Sequence, residues 1–257
     1  MRIARSLVPF ATVALLAGLT ACGSSSSDGG PVTPPGDSNI VRPADIGDTW
    51  LTNDTRDGGG VQIVSGAETA PFFGEGCLEI TTTDSTSGGS GAAKAQLYHY
   101  TWASQGQADA GTRLDELTAL GYWARRDGTS TNNAAQAVSL NVEVDYVGDG
   151  SSYTTLVFEP VYNTYQQAQA DDAWQYWDAI DGGNAVWWSS RAIPGVCAGS
   201  CFVTWNDILT ANPDARIVWG VGFNCGSGWS GDFRGLVDGL TVGVNGETRT
   251  FDFEPAN

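Results

Sequence analysis

Alternating apolar and polar residues are the dominant pattern of this chain, and they predict β-strands. In residues 139–146, SLNVEVDY, every second side chain is apolar, which is typical of a strand with one buried and one exposed face. A Gly-Asp-Gly turn follows, and residues 153–159 predict the second strand of a hairpin. Near the C-terminus, Asn245-Gly246 separates two further strand-like runs and can supply the positive φ angles of a type I′ turn.

A single short helix is predicted within this pattern. Thr204 can cap its N-terminus, Asp207 lies in its first turn, and Asn212-Pro213 ends it. Many short strands with one small helix predict an all-β fold, a two-sheet β-sandwich of the jelly-roll type.

The N-terminal segment has a different character. Residues 1–21 carry Arg2 and Arg5 before an apolar run that is too short to span a membrane, as in a signal peptide. The run ends in Leu-Thr-Ala-Cys at residues 19–22, which resembles the lipobox of bacterial lipoproteins. That resemblance implies removal of residues 1–21, with Cys22 carrying the lipid as the mature N-terminus.

The rest of the chain divides into a tether and a domain. Residues 22–38 are rich in Gly, Ser and Pro and predict a flexible tether, whereas residues 39–257 are long enough for one β-sandwich domain with a sizeable core. We therefore expect an exported protein that its N-terminal lipid anchors to the membrane of the bacterial cell envelope. Gly23, which follows Cys22 where Asp would signal retention at the inner membrane, favours the outer membrane in a cell with two membranes.

The chain is strongly acidic, with 12 Lys and Arg against 29 Asp and Glu and a net charge of −17. Such a surface repels phosphate backbones, so the composition predicts no nucleic-acid partner. Solubility outside the cell is the simplest reason for the charge.

A structural Ca²⁺ ion is a second role for some of the acids, because calcium prefers oxygen ligands. The pointers to it are acidic turns at residues 53–58 and 145–150. Ordinary Asx turns explain the same residues, since neither segment has the alternating ligands of an EF-hand loop.

Four cysteines follow Cys22, and an even number in an exported chain predicts two disulfides with three open connectivities. Cys197 and Cys201 are separated by the short, Gly-containing segment Ala-Gly-Ser, so we pair them. This leaves Cys77 with Cys225, a bond that closes most of the domain. A zinc site is the rival interpretation, but the spacings do not fit it and the sequence has one histidine.

Five segments carry a resemblance to known proteins: 140–145 (LNVEVD), 153–160 (YTTLVFEP), 174–178 (WQYWD), 226–230 (GSGWS) and 237–246 (VDGLTVGVNG). Through them the chain, from about residue 70 onward, resembles an uncharacterised family of exported β-sandwich domains of bacterial surface proteins. More loosely, the last segment is similar to the final strands of jelly-roll carbohydrate-binding modules. The resemblance implies a fold more than a function, because one sandwich hosts many activities.

Aromatic residues are concentrated in residues 174–188, WQYWDAIDGGNAVWW. Strand alternation divides such rings between a core and a surface, and it does so again at Trp187-Trp188. A sugar can stack on an indole face while nearby carboxylates and amides bind its hydroxyls. We predict Trp177, Asp178 and Trp188 as ligand contacts, with core packing of all the rings as the alternative. The sequence leaves open whether Trp174 and Trp187 are the exposed rings instead.

Carboxylates form the second candidate site. Glu143 and Asp145 lie two positions apart on one predicted strand and so share a face, and Glu159 lies on the paired strand. We predict Glu143 and Asp145 as further ligand contacts. Alternatively, a glycoside-active enzyme could take its paired carboxylates from Glu143, Asp145 and Glu159. The third acid of the Glu-x-Asp motif of some sandwich glycosidases is missing here, and an outward polar strand face explains the same residues.

Other catalytic chemistry finds little support. A Ser or Cys triad needs a base, and the one histidine, His99, is flanked by aromatic residues on a predicted strand; no Gly-x-Ser-x-Gly elbow occurs. The sequence therefore favours a lipid-anchored glycan-binding or adhesive module. The alternatives are a glycoside-active enzyme and a structural envelope protein with no small ligand.

Overall fold

The computed structural model describes residues 38–66, 69–71, 73–84, 92–106, 110–199 and 201–256. The predicted signal peptide, the lipidation site Cys22 and nearly all of the tether lie outside these residues. Within the described residues, no helix is both long enough and apolar enough to cross a membrane.

The described residues form two seven-stranded sheets, which confirms the predicted all-β, two-sheet sandwich. The strands, in chain order, are β1 Ser38–Val41, β2 Trp50–Leu51, β3 Gly59–Ser65, β4 Gly76–Thr82, β5 Lys94–His99, β6 Leu117–Arg126, β7 Ser139–Asp145, β8 Thr154–Phe158, β9 Gln175–Asp178, β10 Val186–Ser189, β11 Val203–Thr204, β12 Arg216–Gly226, β13 Phe233–Val244 and β14 Glu247–Phe253.

Sheet I is organised around the long strand β13. One edge of β13 pairs with β4 and β14, and the other edge pairs with β6. The sheet continues outward through β3 beside β4, β9 beside β6 and β1, which runs parallel to β14. Sheet II has the order β11-β10-β8-β7-β12-β5-β2. The predicted hairpins are the pairs β7–β8 and β13–β14, so both are confirmed.

The core lies between the two sheets and follows from alternation along each strand. On β7, Leu140, Val142 and Val144 are fully buried and face sheet I. Their alternate neighbours Asn141 and Glu143 therefore point to the other side of sheet II, away from the core. The same division on β8 and β12 gives sheet II a continuous polar outer face.

The predicted helix is also confirmed. It is α1, Trp205–Ala211, and Thr204 caps it: its hydroxyl accepts a hydrogen bond from the Asp207 amide, and the Asp207 carboxylate accepts one from the Thr204 amide. The second hairpin turns as expected, because Asn245 and Gly246 have φ angles of 52° and 87°.

One of the two predicted disulfides is formed. Cys197 and Cys201 are bonded, with their Cα atoms 5.2 Å apart. The prediction that Cys77 bonds to Cys225 is wrong: both residues are buried but are not joined. Cys225 belongs to the core of the sandwich, whereas Cys77 alternates with the core residues of β4, Leu78 and Ile80, and points to the opposite side of sheet I.

Candidate ligand-binding cleft

A cleft of about 510 Å³ lies on the outer face of sheet II. It crosses the strands from β10 through β8, β7 and β12 to β5, a width of about 19 Å at ordinary strand spacing. The side chains that line it combine aromatic rings, amides, hydroxyls and carboxylates. The main ones are Asn53, Asp54, Lys94, Gln96, Tyr98, Tyr100, Ser139, Asn141, Glu143, Tyr153, Thr155, Glu159, Trp188, Trp219, Asn224 and Trp229.

The floor of the cleft is a network of uncharged polar groups. Asn141 donates to the hydroxyl of Tyr98 at 3.0 Å and accepts from the hydroxyl of Ser139 at 3.0 Å. Asn224 on β12 donates to the side-chain oxygen of Gln96 on β5 at 3.4 Å. Because these groups satisfy one another, the floor is preorganised before any ligand arrives.

Glu143 lies above this floor with Tyr153 as its hydrogen-bond donor. The Tyr153 hydroxyl donates to Oε1 of Glu143 at 2.9 Å. Burial raises the pKa of Glu143 above its ordinary range, and the bond from Tyr153 opposes that shift. Burial likewise raises the pKa of Tyr153 to about 12, so this phenol is a donor rather than a base at neutral pH.

Trp188 and Glu159 form a second pair toward the β10 side of the cleft. The indole nitrogen of Trp188 donates to Oε2 of Glu159 at 2.8 Å. Burial raises the pKa of Glu159, and the indole N–H partly offsets this effect. The bond fixes the orientation of the indole, which is half-buried and lines the cleft.

The opposite wall is the segment that follows β2. The Lys94 ammonium donates to Asp54 at 2.6 Å, and Arg56 binds the same carboxylate at 2.9 Å. Asn53 donates to the hydroxyl of Tyr100 at 3.2 Å. The cation nearest the cleft is thus already paired with an acid.

Two buried glycines alternate on β12 beside the cleft. Gly220 pairs with Glu143, and Gly222 pairs with Asn141. Neighbouring groups of the protein approach both closely, because a Cβ on Gly222 would meet the carbonyl oxygen of Leu97 and one on Gly220 would meet the ring of Tyr100.

Sequence reasoning missed two rings of the cleft, Trp219 within β12 and Trp229 in the segment that follows it. Trp219 is 43 % exposed, and Trp229 lines the cleft while packing edge-on against Phe233 at 5.0 Å. The alternate glycines between them were the available signal, because glycine within a strand marks a close approach of neighbouring groups. The roles of Lys94, Gln96 and Asn224 depend on which strands are neighbours, and the sequence pattern does not specify this.

Of the five predicted ligand contacts, Glu143 and Trp188 line the cleft and three do not. Trp177 is 1 % exposed, because β9 pairs with β6 so that Trp177 lies opposite the core residue Tyr122. Asp178, next to it, caps a turn by accepting from the amides of Ile180 and Asp181. These two residues belong to sheet I, so the prediction that they contact a ligand beside Trp188 is corrected.

Asp145 is also corrected as a ligand contact. Its carboxylate is buried and accepts hydrogen bonds from the amides of Val147 and Gly150 and from the hydroxyl of Ser152. These bonds hold the turn between β7 and β8, and they lower the pKa of Asp145 against the opposing effect of burial. The acid that shares a strand with Glu143 therefore serves the hairpin and does not reach the cleft.

The turns considered for calcium are held by protein groups. Asp54 is paired with Arg56 and Lys94, and Asp145 with its own turn. Among the described residues, no group of three or more His, Cys, Asp and Glu side chains is arranged to hold a metal ion.

The two glutamates of the cleft are far apart along the sheet. Glu143 pairs with Thr155, and Glu159 lies four residues beyond Thr155, which corresponds to about 13 Å along the strand. Glycosidases place their two carboxyl groups about 5 Å or about 6.5–9.5 Å apart. The register thus holds the backbone positions of this pair further apart than either arrangement.

Fold and site together describe a two-sheet β-sandwich with an aromatic and polar cleft on the outer face of one sheet. No protein-family model matches the chain, and no curated protein sequence matches it.

Proposed function

We propose that the cleft on sheet II binds a glycan chain. The observation that carries this proposal is that the half-buried ring of Trp188 and the hydrogen-bonding groups of β7, β8 and β12 line the same cavity of about 510 Å³. An indole can stack on the apolar face of a sugar while carboxylate and amide groups bind its hydroxyls.

The charges of the cleft favour an uncharged glycan. Among its described lining residues, three carboxylates (Asp54, Glu143 and Glu159) face one ammonium, that of Lys94, which is bonded to Asp54. A chain of uronic or sulfated sugars would meet net negative charge and be repelled. Neutral sugar hydroxyls can donate to these carboxylates without a charge penalty.

The spacing of the acids supports binding rather than glycoside hydrolysis. The one observation in favour of catalysis is that burial raises the pKa of both Glu143 and Glu159, as in a general acid. Their backbone positions lie about 13 Å apart along the strand, and each carboxylate is bound to a partner of its own, Tyr153 or Trp188, which favours binding over a shared scissile bond.

The same proposal places the domain outside the cytoplasm, tethered by residues 22–38 to a lipid on Cys22. The support is the lipobox-like segment 19–22 and the Gly, Ser and Pro content of the tether. Detergent partitioning of cells expressing Cys22→Ala tests the anchor. We expect the variant to leave the membrane fraction, and unchanged partitioning would contradict a lipid at this position.

The binding proposal is tested with a glycan array that carries neutral and acidic polysaccharides and oligosaccharides. The wild-type domain, Trp188→Ala and the control Tyr165→Ala are compared. Tyr165 is 54 % exposed, and its hydroxyl accepts from Gln166, which in turn binds β9 of sheet I. We expect binding to neutral glycans, its loss in Trp188→Ala and its retention in Tyr165→Ala.

Two outcomes contradict the proposal. One is a folded wild-type domain that binds no glycan, and the other is binding that survives Trp188→Ala unchanged. Release of reducing sugar from a bound glycan, abolished in Glu143→Gln or Glu159→Gln, would replace binding with hydrolysis as the function.

A further inference from the structure

A second aromatic group lies at the edge of sheet II, outside the cleft. Strands β10 and β11 pair Val186 with Thr204 and Trp187 with Val203, and Phe202 directly precedes Val203 where this pairing ends. Trp187 is buried in the core and Val203 packs against it. Alternation therefore turns both Trp188 and Phe202 away from the core, toward the outer face of sheet II.

Phe202 carries a partner ring. Tyr162, which follows β8, stacks on it with ring centroids 4.0 Å apart and an interplanar angle of 35°. The two rings remain 40 % and 45 % exposed, although two stacked aromatics at a sheet edge could bury more surface against the sandwich. Exposed apolar groups that lie together in this way are typical of interaction sites.

Both rings are held by local structure. Asn163, next to Tyr162, is fully buried; it donates to the carbonyl oxygens of Glu159 and Val186 and accepts from the Val186 amide. The Cys197–Cys201 disulfide closes the loop immediately before Phe202. The stacked pair is thus fixed to β8 and β10, the strands that also position Glu159 and Trp188.

We propose that Tyr162 and Phe202 form an additional sugar subsite at the edge of sheet II, where a glycan chain leaves the cleft past Trp188. This inference rests on the proposed function. The subsite continues the aromatic surface of Trp188 in the direction across the strands. Burial and the negative charge of Glu159 raise the pKa of Tyr162, so the uncharged sugar that the cleft favours also suits this position.

A subsite at the end of a cleft has a specific signature. A long chain occupies both the cleft and the Tyr162–Phe202 pair, whereas a short chain held by Trp188 does not reach the pair. Loss of the pair therefore weakens binding of long oligosaccharides and leaves that of short ones unchanged. We expect a decrease of about three- to tenfold for long chains, the size expected for the loss of one stacking contact.

The experiment measures affinity by calorimetry for neutral β-linked glucose, mannose and xylose oligosaccharides, from disaccharide to hexasaccharide. The proteins are wild type, Phe202→Ala, Phe202→Leu, Tyr162→Ala, Trp188→Ala and the control Tyr165→Ala. Phe202→Leu retains apolar packing, and thermal melting establishes that each variant is folded. Support for the subsite is a chain-length-dependent loss in the Phe202 and Tyr162 variants, with the control like wild type.

Failure of the subsite and failure of the proposed function give different results. If Trp188→Ala loses binding while the Phe202 and Tyr162 variants match wild type at every chain length, the subsite is wrong and the glycan-binding cleft stands. An equal loss for short and long chains also overturns the subsite, because the rings would then act only through Trp188. If the wild-type domain binds none of these oligosaccharides and no neutral glycan on the array, the proposed function fails and the subsite with it.

Discussion

The indole nitrogen of Trp188 donates a hydrogen bond of 2.8 Å to the carboxylate of Glu159. The neighbouring Trp187 points the other way and donates to the carbonyl oxygen of Ala179 at 2.9 Å inside the sandwich. Trp188 thus belongs to the cleft and the adjacent Trp187 to the core. Substitutions of the two residues should therefore differ in their effect on stability.

The first prediction concerns this division. Trp187→Ala should cost about 3–5 kcal/mol in the free energy of unfolding, because it empties a fully buried site. Trp188→Ala should cost much less, since its ring is half-buried at the surface of the cleft. Denaturant unfolding measures both. Equal losses would show that Trp188 is a core residue and not a ligand platform.

The second prediction concerns the acid bound by Trp188. Trp188→Phe keeps a ring but removes the N–H, and this bond is what opposes the effect of burial on Glu159. The pKa of Glu159 should therefore rise further in the variant. Titration of labelled glutamate side chains by NMR measures it, with Trp219→Phe as the control. An unchanged Glu159 pKa would mean that the indole does not donate to this carboxylate.

The third prediction concerns Glu143. Tyr153→Phe removes the hydroxyl that donates to Glu143, so the pKa of Glu143 should rise because its burial is then less compensated. The loss of this bond should also cost about 1 kcal/mol of stability. The same NMR titration and a denaturant curve measure the two effects. Tyr100→Phe is the control, because the Tyr100 hydroxyl accepts a hydrogen bond from Asn53, whereas the Tyr153 hydroxyl donates one to Glu143; a matching shift of the Glu143 pKa there would contradict the assignment.

The fourth prediction concerns His99, which packs against Trp50, Trp102 and Phe251. Burial lowers its pKa from the ordinary value of 6.5 to about 4, with a smaller contribution from the charge of Arg249. Between these two pH values the unfolded chain binds a proton that the folded chain does not. The contribution of the buried, neutral His99 to stability is therefore complete above pH 6.5 and is lost as the pH falls toward about 4.

His99→Asn tests this origin, because it removes the titrating group and keeps an acceptor for the Thr101 amide that His99 now binds. Unfolding free energies of the variant should vary less with pH between about 4 and 6.5 than those of wild type. An identical pH profile would exclude His99 as the cause.

The fifth prediction concerns Asp252, whose contribution to stability depends on pH in the opposite direction to that of His99. Burial, and contact with the carboxyl group of Glu254, raise the pKa of Asp252 from 3.8 to about 6. The folded chain then holds a proton that the unfolded chain has released, so this contribution to stability is present below pH 3.8 and is lost as the pH rises through about 6. Asp252→Asn should therefore be more stable than wild type above pH about 6 and should gain nothing below pH about 4. Denaturant unfolding at both pH values checks this; a variant that is less stable at the higher pH would refute it.

Much of the fold could be predicted from local sequence. Alternation in residues 139–146 predicts strand β7 and its buried face, Asn245-Gly246 predicts the last hairpin turn, and Thr204 with Asp207 predicts the start of α1. Each of these features depends on neighbours within a few residues, so the chain specifies it without knowledge of the rest of the structure.

The site was predicted in part, because it depends on which strands meet. Glu143, Glu159 and Trp188 were recognised as candidates from their residue types, and strand pairing brings them to one face. Trp219 and Trp229 were missed, and Trp177 and Asp145 were misplaced. Trp177 has the same residue type as Trp188, and only its register opposite Tyr122 sends it into the core.

The sequence by itself determined that this chain is a β-sandwich and that its clustered rings must be divided between an interior and a surface, because alternation along a strand is a property of the local backbone. Tertiary structure alone decided which ring goes where, that Cys225 enters the core while Cys77 points away from it, and that Trp188 meets Glu159. Those outcomes depend on strand order and register, and a shift of one residue would reverse the direction of every side chain on the strand.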